Sequence, residues 1–138
     1  MNNQELKAAF IKLVPFIGVN QISAMLEICD SEEAQFMIDK VAEMVDIIEK
    51  CPVTYQQEEV EDPICYLHYF KGGCDFFIYE KDKGNGEEVP EQTQAFGSAD
   101  LGYGSELGYI SIVELLQNNV ELDLYFTPKP LSECLKGD

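Results

Sequence analysis

Apolar positions recur with a helical period through the first fifty residues and with a strand period from residue 64 onward. The segment NNQELKAAFIKLV (2–14) offers asparagine caps, sets Leu6, Phe10, Leu13 and Val14 on one side, and is ended by Pro15. NQISAMLEIC (20–29) repeats the pattern more briefly with Ile22, Met25, Leu26 and Cys29. A third helix is expected from a cap at Asp30 or Ser31, with Glu33 completing a capping box, to Pro52. Its apolar stripe of Ala34, Met37, Ile38, Val41, Met44, Val45 and Ile48 reads as a core face.

The polar, acidic run TYQQEEVEDP (54–63) then reads as a linker. ICYLHYF and CDFFIYE are strand-like, TQAFGSADL and LGYISI more weakly so, and VELDLYFT alternates until PKP stops it. Between the last two, Ser111 with Glu114 three residues on marks a short helix. Helices first and strands afterwards predict an α+β protein. The expected organisation is a helical region at 1–53, an acidic linker at 54–63, and a region at 64–138. That last region would hold an antiparallel sheet of four to five strands plus one short helix. Whether helices and sheet share a core is left open by the pattern.

The only histidine lies in HYFKGGCDFFIYE (68–80). A two-residue Gly72-Gly73 turn of type I′ would pair Leu67 with Ile78, His68 with Phe77, and Phe70 with Asp75. Alternation then puts Cys65, Leu67, Tyr69, Cys74, Phe76 and Ile78 on one face. Tyr66, His68, Phe70, Asp75, Phe77 and Tyr79 take the other. On this register a Cys-His nucleophile pair and a zinc site both fail, because the thiols and the imidazole point to opposite faces. A three-residue turn through Lys71 would shift the pairing by one and reopen the question. His68 and Asp75 share a face at about 7 Å between Cβ atoms and form a polar pair. Its reading is architectural, with an enzyme using the His68/Asp75 face as the rival. LGYGSELGY lacks the spacing and surroundings of a nucleotide-binding loop, and no calcium-loop pattern occurs. No catalytic residue, cofactor or metal is assigned.

Charge changes the picture most. The 138 residues carry 26 Asp plus Glu against nine Lys and no Arg, a formal net charge of −17. Lacking the guanidinium fork and repelling a polyanion, such a chain is a poor ligand for DNA or RNA and a good one for basic proteins. Five scattered cysteines without a C-x-x-C pair suit free thiols in a reducing cytoplasm. Residues 30–62 hold eleven acids and two lysines, and 100–123 hold five acids and no lysine.

On the third helix Glu32, Asp39, Glu43 and Asp46 would form one row about 21 Å long, comparable with phosphates along a nucleic-acid strand. Glu58, Glu59, Glu61 and Asp62 extend it, with Phe36 and Ile47 as apolar anchors at its edge. The array would occupy the basic groove of a nucleic-acid-binding protein and let go in salt. The alternatives are an ordinary solvated face for the acids and packing under the sheet for Phe36 and Ile47.

LHYFKGGCDFFIYEKD, AFGSADLG, ELGYISIVEL and ELDLYFTPKP, within Ile64 to Lys129, resemble a small uncharacterised domain family of phages, plasmids and conjugative elements. The resemblance covers roughly the C-terminal half and carries no catalytic residues. It implies a mobile-element setting, in which a small acidic protein is similar in character to anti-CRISPR inhibitors that block Cas9-type nucleases. The resulting expectation is a non-enzymatic inhibitor of such a nuclease. The alternative is an accessory module that binds another basic protein of replication or transfer.

Overall fold

The computed structural model describes residues 1–136. Helix α1 (Asn3–Leu13) starts at a closed capping box: Asn2 Oδ1 accepts the Glu5 N–H at 2.8 Å and Glu5 Oε1 accepts that of Asn2 at 3.2 Å. Helix α2 spans Val19–Cys29 and α3 spans Ala34–Lys50. The cap expected for α3 at Asp30 or Ser31 is not there. The Ser31 hydroxyl donates to the Ile28 carbonyl at 2.7 Å and accepts from the Glu33 N–H at 3.1 Å, so it closes the α2–α3 turn. Because α2 runs to Cys29, only residues 30–33 remain for the connection. Glu32 therefore sits in a turn rather than on the helix.

The main sheet contains β2 (Leu67–Lys71), β3 (Cys74–Glu80), β4 (Ala95–Asp100), β5 (Ser105–Ile110) and β6 (Glu121–Leu122). All neighbours are antiparallel, in the order β5-β4-β3-β2-β6. Strands β1 (Ile64–Cys65) and β7 (Lys129–Pro130) form a separate two-stranded ladder. Helix α4 (Ile112–Gln117) returns the chain from the β5 edge to the β6 edge, and its Ser111 cap accepts the Glu114 N–H at 3.2 Å. With helix α5 (Leu131–Lys136) the architecture is α+β, N-terminal helices followed by a largely antiparallel C-terminal region.

The β2–β3 hairpin has the register expected of a Gly72-Gly73 turn, with Leu67 opposite Ile78, His68 opposite Phe77 and Phe70 opposite Asp75. Of the two glycines only Gly72 has positive φ, at 57°, so the turn is of the II′ kind rather than I′. Both mirror-image types suit the strand twist, which is why the register is unaffected.

One core joins helices to sheet: Leu13, Ile17, Met25, Val41 and Met44 pack in the same cluster as Leu67, Tyr69, Ile78, Ile112 and Leu122. A second, smaller cluster lies on the other side, with Cys65, Phe77, Tyr79, Phe126 and Cys134. Cys65 was expected on the Leu67 face. The chain leaves strand geometry at Tyr66 between β1 and β2, and that break exchanges the two faces.

The acidic run at 54–63 is tied to the sheet. Thr54 Oγ1 donates toward the carbonyls of Lys81 and Gln94, Val53 bridges to Lys81, and Pro63 is buried. Asp62 accepts from the N–H and hydroxyl of Ser132 at 3.0 and 2.7 Å, which anchors the start of α5. The strand expected over 120–127 ends at Leu122. Asp123 Oδ1 takes the Tyr125 N–H at 2.9 Å and turns the chain away.

Three glutamine amides act as substitute strand neighbours. Gln21 donates to the Leu122 carbonyl and accepts its N–H, at 2.8 and 3.0 Å. Gln57 does the same for Ile64 at 3.1 and 3.1 Å, and Gln92 for Asp82 at 3.1 and 2.8 Å. A primary amide presents one donor and one acceptor side by side, as a peptide unit does. Each glutamine thus satisfies both main-chain groups of one residue, for Leu122 and Ile64 those left over by pairing with β2 and β7.

The loop after β3 is organised by Asp82, whose carboxylate accepts from Gly84 N, Gln94 N and Thr93 Oγ1 at 2.8, 2.9 and 3.1 Å. Partial burial alone would raise its pKa, but these bonds outweigh it and hold the group below the ordinary Asp value. A depressed folded-state pKa contributes stability above the unfolded value of about 3.9, lost as pH falls through the folded one. The midpoint of urea unfolding should therefore fall between about pH 5 and pH 3, and fall less in Asp82→Asn. Equal acid sensitivity in both would contradict this account of the loop.

Candidate functional site

His68 lies between two carboxylates. Its Nε2 is 2.7 Å from Asp75 Oδ1 and its Nδ1 is 3.1 Å from Asp123 Oδ2, while the ring stacks on Phe77 at 4.6 Å between centroids. Each ring nitrogen thus lies within hydrogen-bond distance of one carboxylate oxygen, and the ring crosslinks the two acids. The triad links β2, β3 and the turn after β6. Among the described residues no hydroxyl or thiol hydrogen-bonds the ring, so no nucleophile is positioned for it.

The buried thiols are poor nucleophiles as well. Burial pushes Cys51 up to about 12, and burial together with neighbouring Cys134 pushes Cys65 well up. No group of three or more His, Cys, Asp or Glu among the described residues could hold a metal ion.

The helix-three row is broken up. With Glu32 in the turn, Asp39 accepts from Gln35 Nε2 at 2.8 Å, Glu43 pairs with Lys40 at 3.2 Å and Asp46 with Lys50 at 2.9 Å. Each such pair contributes little to stability, yet the two lysines offset part of the negative charge the row presents. Ile47, expected as an anchor, is 8% exposed and belongs to the main core. Helix α3 packs against both α1 and α2, which buries a wider arc than a single neighbour would. Phe36, at 49% exposure, does lie on the solvent side with Asp39 and Glu43.

Of the acids in the 54–63 run, Asp62 is engaged with Ser132, and its pKa is lowered by that bond. Glu58, Glu59 and Glu61 are exposed, and no hydrogen bond or ion pair involves their side chains among the described residues. The same run carries Tyr55 to the outer strand of the sheet, where its hydroxyl is 2.7 Å from that of Tyr109 on β5. Glu58 and Glu80 lie close enough to oppose ionisation of Tyr109, whose pKa is raised chiefly by the bond to Tyr55.

The sheet face turned away from the helices gathers further negative charge. Asp75 stands directly opposite Asp100, and Phe70 directly opposite Glu121. Like charges across strands repel. Here Asp75 is held by His68, while Asp100 Oδ1 accepts the N–H groups of Gly102 and Gly104 at 2.7 and 3.2 Å. No basic residue occurs between Lys83 and Lys129, a stretch with eight acids.

The sequence places the binding acids on α3 and the 54–63 run, and does not reveal the role of Asp123 or of the three glutamines. The nearest sequence signal is the D-x-Y of an Asx turn, which marks Asp123 as a turn former but not as the partner of a histidine 55 positions away. No helix among the described residues is long and apolar enough to cross a membrane. No family model, curated protein or solved structure matches the chain, so the likeness to mobile-element domains rests on the segments quoted for it.

Proposed function

We propose that this is a binding protein whose carboxylates occupy the cationic site of a basic nucleic-acid-binding protein, with a Cas9-type nuclease as the first target to test. The observation that carries the reading is the set of exposed acids Glu58, Glu59 and Glu61, with Glu106 on β5, none paired with a lysine among the described residues, in an arginine-free chain of net charge −17. Such a surface accelerates encounter with a basic groove and competes with phosphates there. The choice of nuclease comes from the resemblance to mobile-element domains. A basic replication or transfer protein is the second candidate, on the same chemistry.

Sizing-column co-elution with the purified nuclease is expected at low salt and lost at high salt. Glu58, Glu59 and Glu61 changed together to Lys should weaken binding about 100-fold at low salt, whereas Asp39, Glu43 and Asp46 changed together should weaken it less. No co-elution and untouched cleavage would remove the nuclease as the target. Unchanged affinity in both triple variants would remove the electrostatic reading.

A further inference from the structure

The two edges of the main sheet are treated differently. At β6 the Gln21 amide fills both main-chain positions of Leu122, and that strand is only two residues long. At the opposite edge β5 runs for six residues and pairs with β4 alone. Among the described residues no side-chain amide and no other backbone group bonds the outward main chain of Ser105–Ile110.

Open edges are commonly protected by lysine, proline or a bulge. Strand β5 reads SELGYI, with no lysine, proline or bulge and an even register against β4, and Glu106 is its one charge, a device against pairing with another acidic edge. Its surroundings are apolar and acidic. Leu107 and Tyr109 are exposed on it, and Tyr103, 97% exposed, stands in the turn before it. Tyr55 flanks the other end in a backbone conformation rare for an aromatic residue, with φ of 77°. Such backbone strain gathers at places of use.

We propose that β5 is a docking edge for an extended, lysine- or arginine-bearing segment of the partner, which joins the sheet as a sixth strand. This rests on the proposed function and specifies where and how the basic partner is held. Main-chain hydrogen bonds would supply affinity and alternate side chains specificity. Asp100, Glu106 and Glu58 lie around the edge, and β4, β5 and the turn between them carry no lysine, so cationic side chains are attracted to it. Exposed tyrosine faces favour the same cations. A second copy of this chain would meet its own net charge of −17 at that edge, so a basic strand is the better occupant.

The test uses the full chain, isotopically labelled, and a peptide of about eight residues alternating lysine and valine, long enough to cover the edge. A control peptide of the same sequence is N-methylated at alternate residues, which keeps its charge and removes its ladder donors. The expected result is salt-sensitive binding that shifts the amides of Ser105–Ile110, with at least a tenfold loss for the methylated peptide. Equal binding of both peptides, with shifts confined to α3 or 58–61, overturns the docking edge and leaves the electrostatic reading standing. Self-association through β5 before any peptide is added overturns it in favour of a second copy. Binding of neither peptide also overturns it, and co-elution with the nuclease then reports separately on the proposed function.

Discussion

Gly97→Ala should be the most damaging single substitution in the molecule. Gly97 lies in β4 opposite Ile78 of the central strand β3 and opposite Gly108 of β5. A methyl group there would overlap the Phe77 carbonyl oxygen and lie 2.9 Å from its carbon and 3.0 Å from the Ile78 Cα. All three are main-chain atoms, so no rotamer change relieves the clash. Relief requires β3 and β4 to separate just where the register already shifts between Ile78 and Glu80. Overpacking of this kind costs about 3 kcal/mol or more, a large part of the stability of a domain this size. A fall in Tm of about 10 °C or loss of soluble protein is expected. Gly108→Ala is the control, since its methyl group meets nothing within 4 Å. A native-like Tm for Gly97→Ala would mean that the β3–β4 pairing is wrong.

Gln92→Glu should come second. The residue is 1% exposed, and its amide donates to the carbonyls of Asp82 and Pro90 while accepting the Asp82 N–H. A carboxylate of the same shape keeps the acceptor but turns an oxygen toward those two carbonyls, with charge in a site closed to water. Losing a buried bond and stranding a charge costs about 3 kcal/mol at neutral pH. The acid form has an O–H that can replace the lost donor, so the variant side chain is driven to stay protonated. A cost of that size corresponds to a pKa about two units above the ordinary Glu value. A raised folded-state pKa on an acid makes the penalty shrink as pH falls. Urea unfolding should therefore show the gap between variant and native protein closing below about pH 6. A penalty independent of pH would show that the amide does not act as the missing strand neighbour.

Much of this fold is legible in local pattern. The β2–β3 hairpin follows from Gly72-Gly73 between two alternating runs, and α1 from Asn2 and Glu5 three apart. What escapes the pattern is set by partners distant along the chain. The run 120–127 alternates as well as any strand, but only Glu121 and Leu122 find a neighbour, because Asp123 turns the chain toward His68. Helix α5 has no strong period of its own and starts where Asp62, 70 positions earlier, receives Ser132. Gln21, Gln57 and Gln92 are polar residues in polar surroundings, and nothing in their spacing marks the backbone they complete.

The candidate site was legible as charge but not as geometry. Acid content alone identifies residues 30–62 and 100–123 as negative. It does not say that Lys40 and Lys50 fold back on Glu43 and Asp46, or that Ile47 turns inward. Nor does it say that the run after Pro52 folds against the sheet and brings Tyr55 to Tyr109. These facts move the centre of the proposed surface from α3 to the β5 side of the molecule.

Displacement of nucleic acid tests the account most directly. Fluorescently labelled duplex DNA bound to the Cas9-type nuclease should be released as this protein is added at low salt, with release fading as salt rises, because both ligands compete for one cationic groove. A ternary complex in which DNA stays bound while the protein co-elutes would contradict the account, since the carboxylates would then not stand where phosphates do.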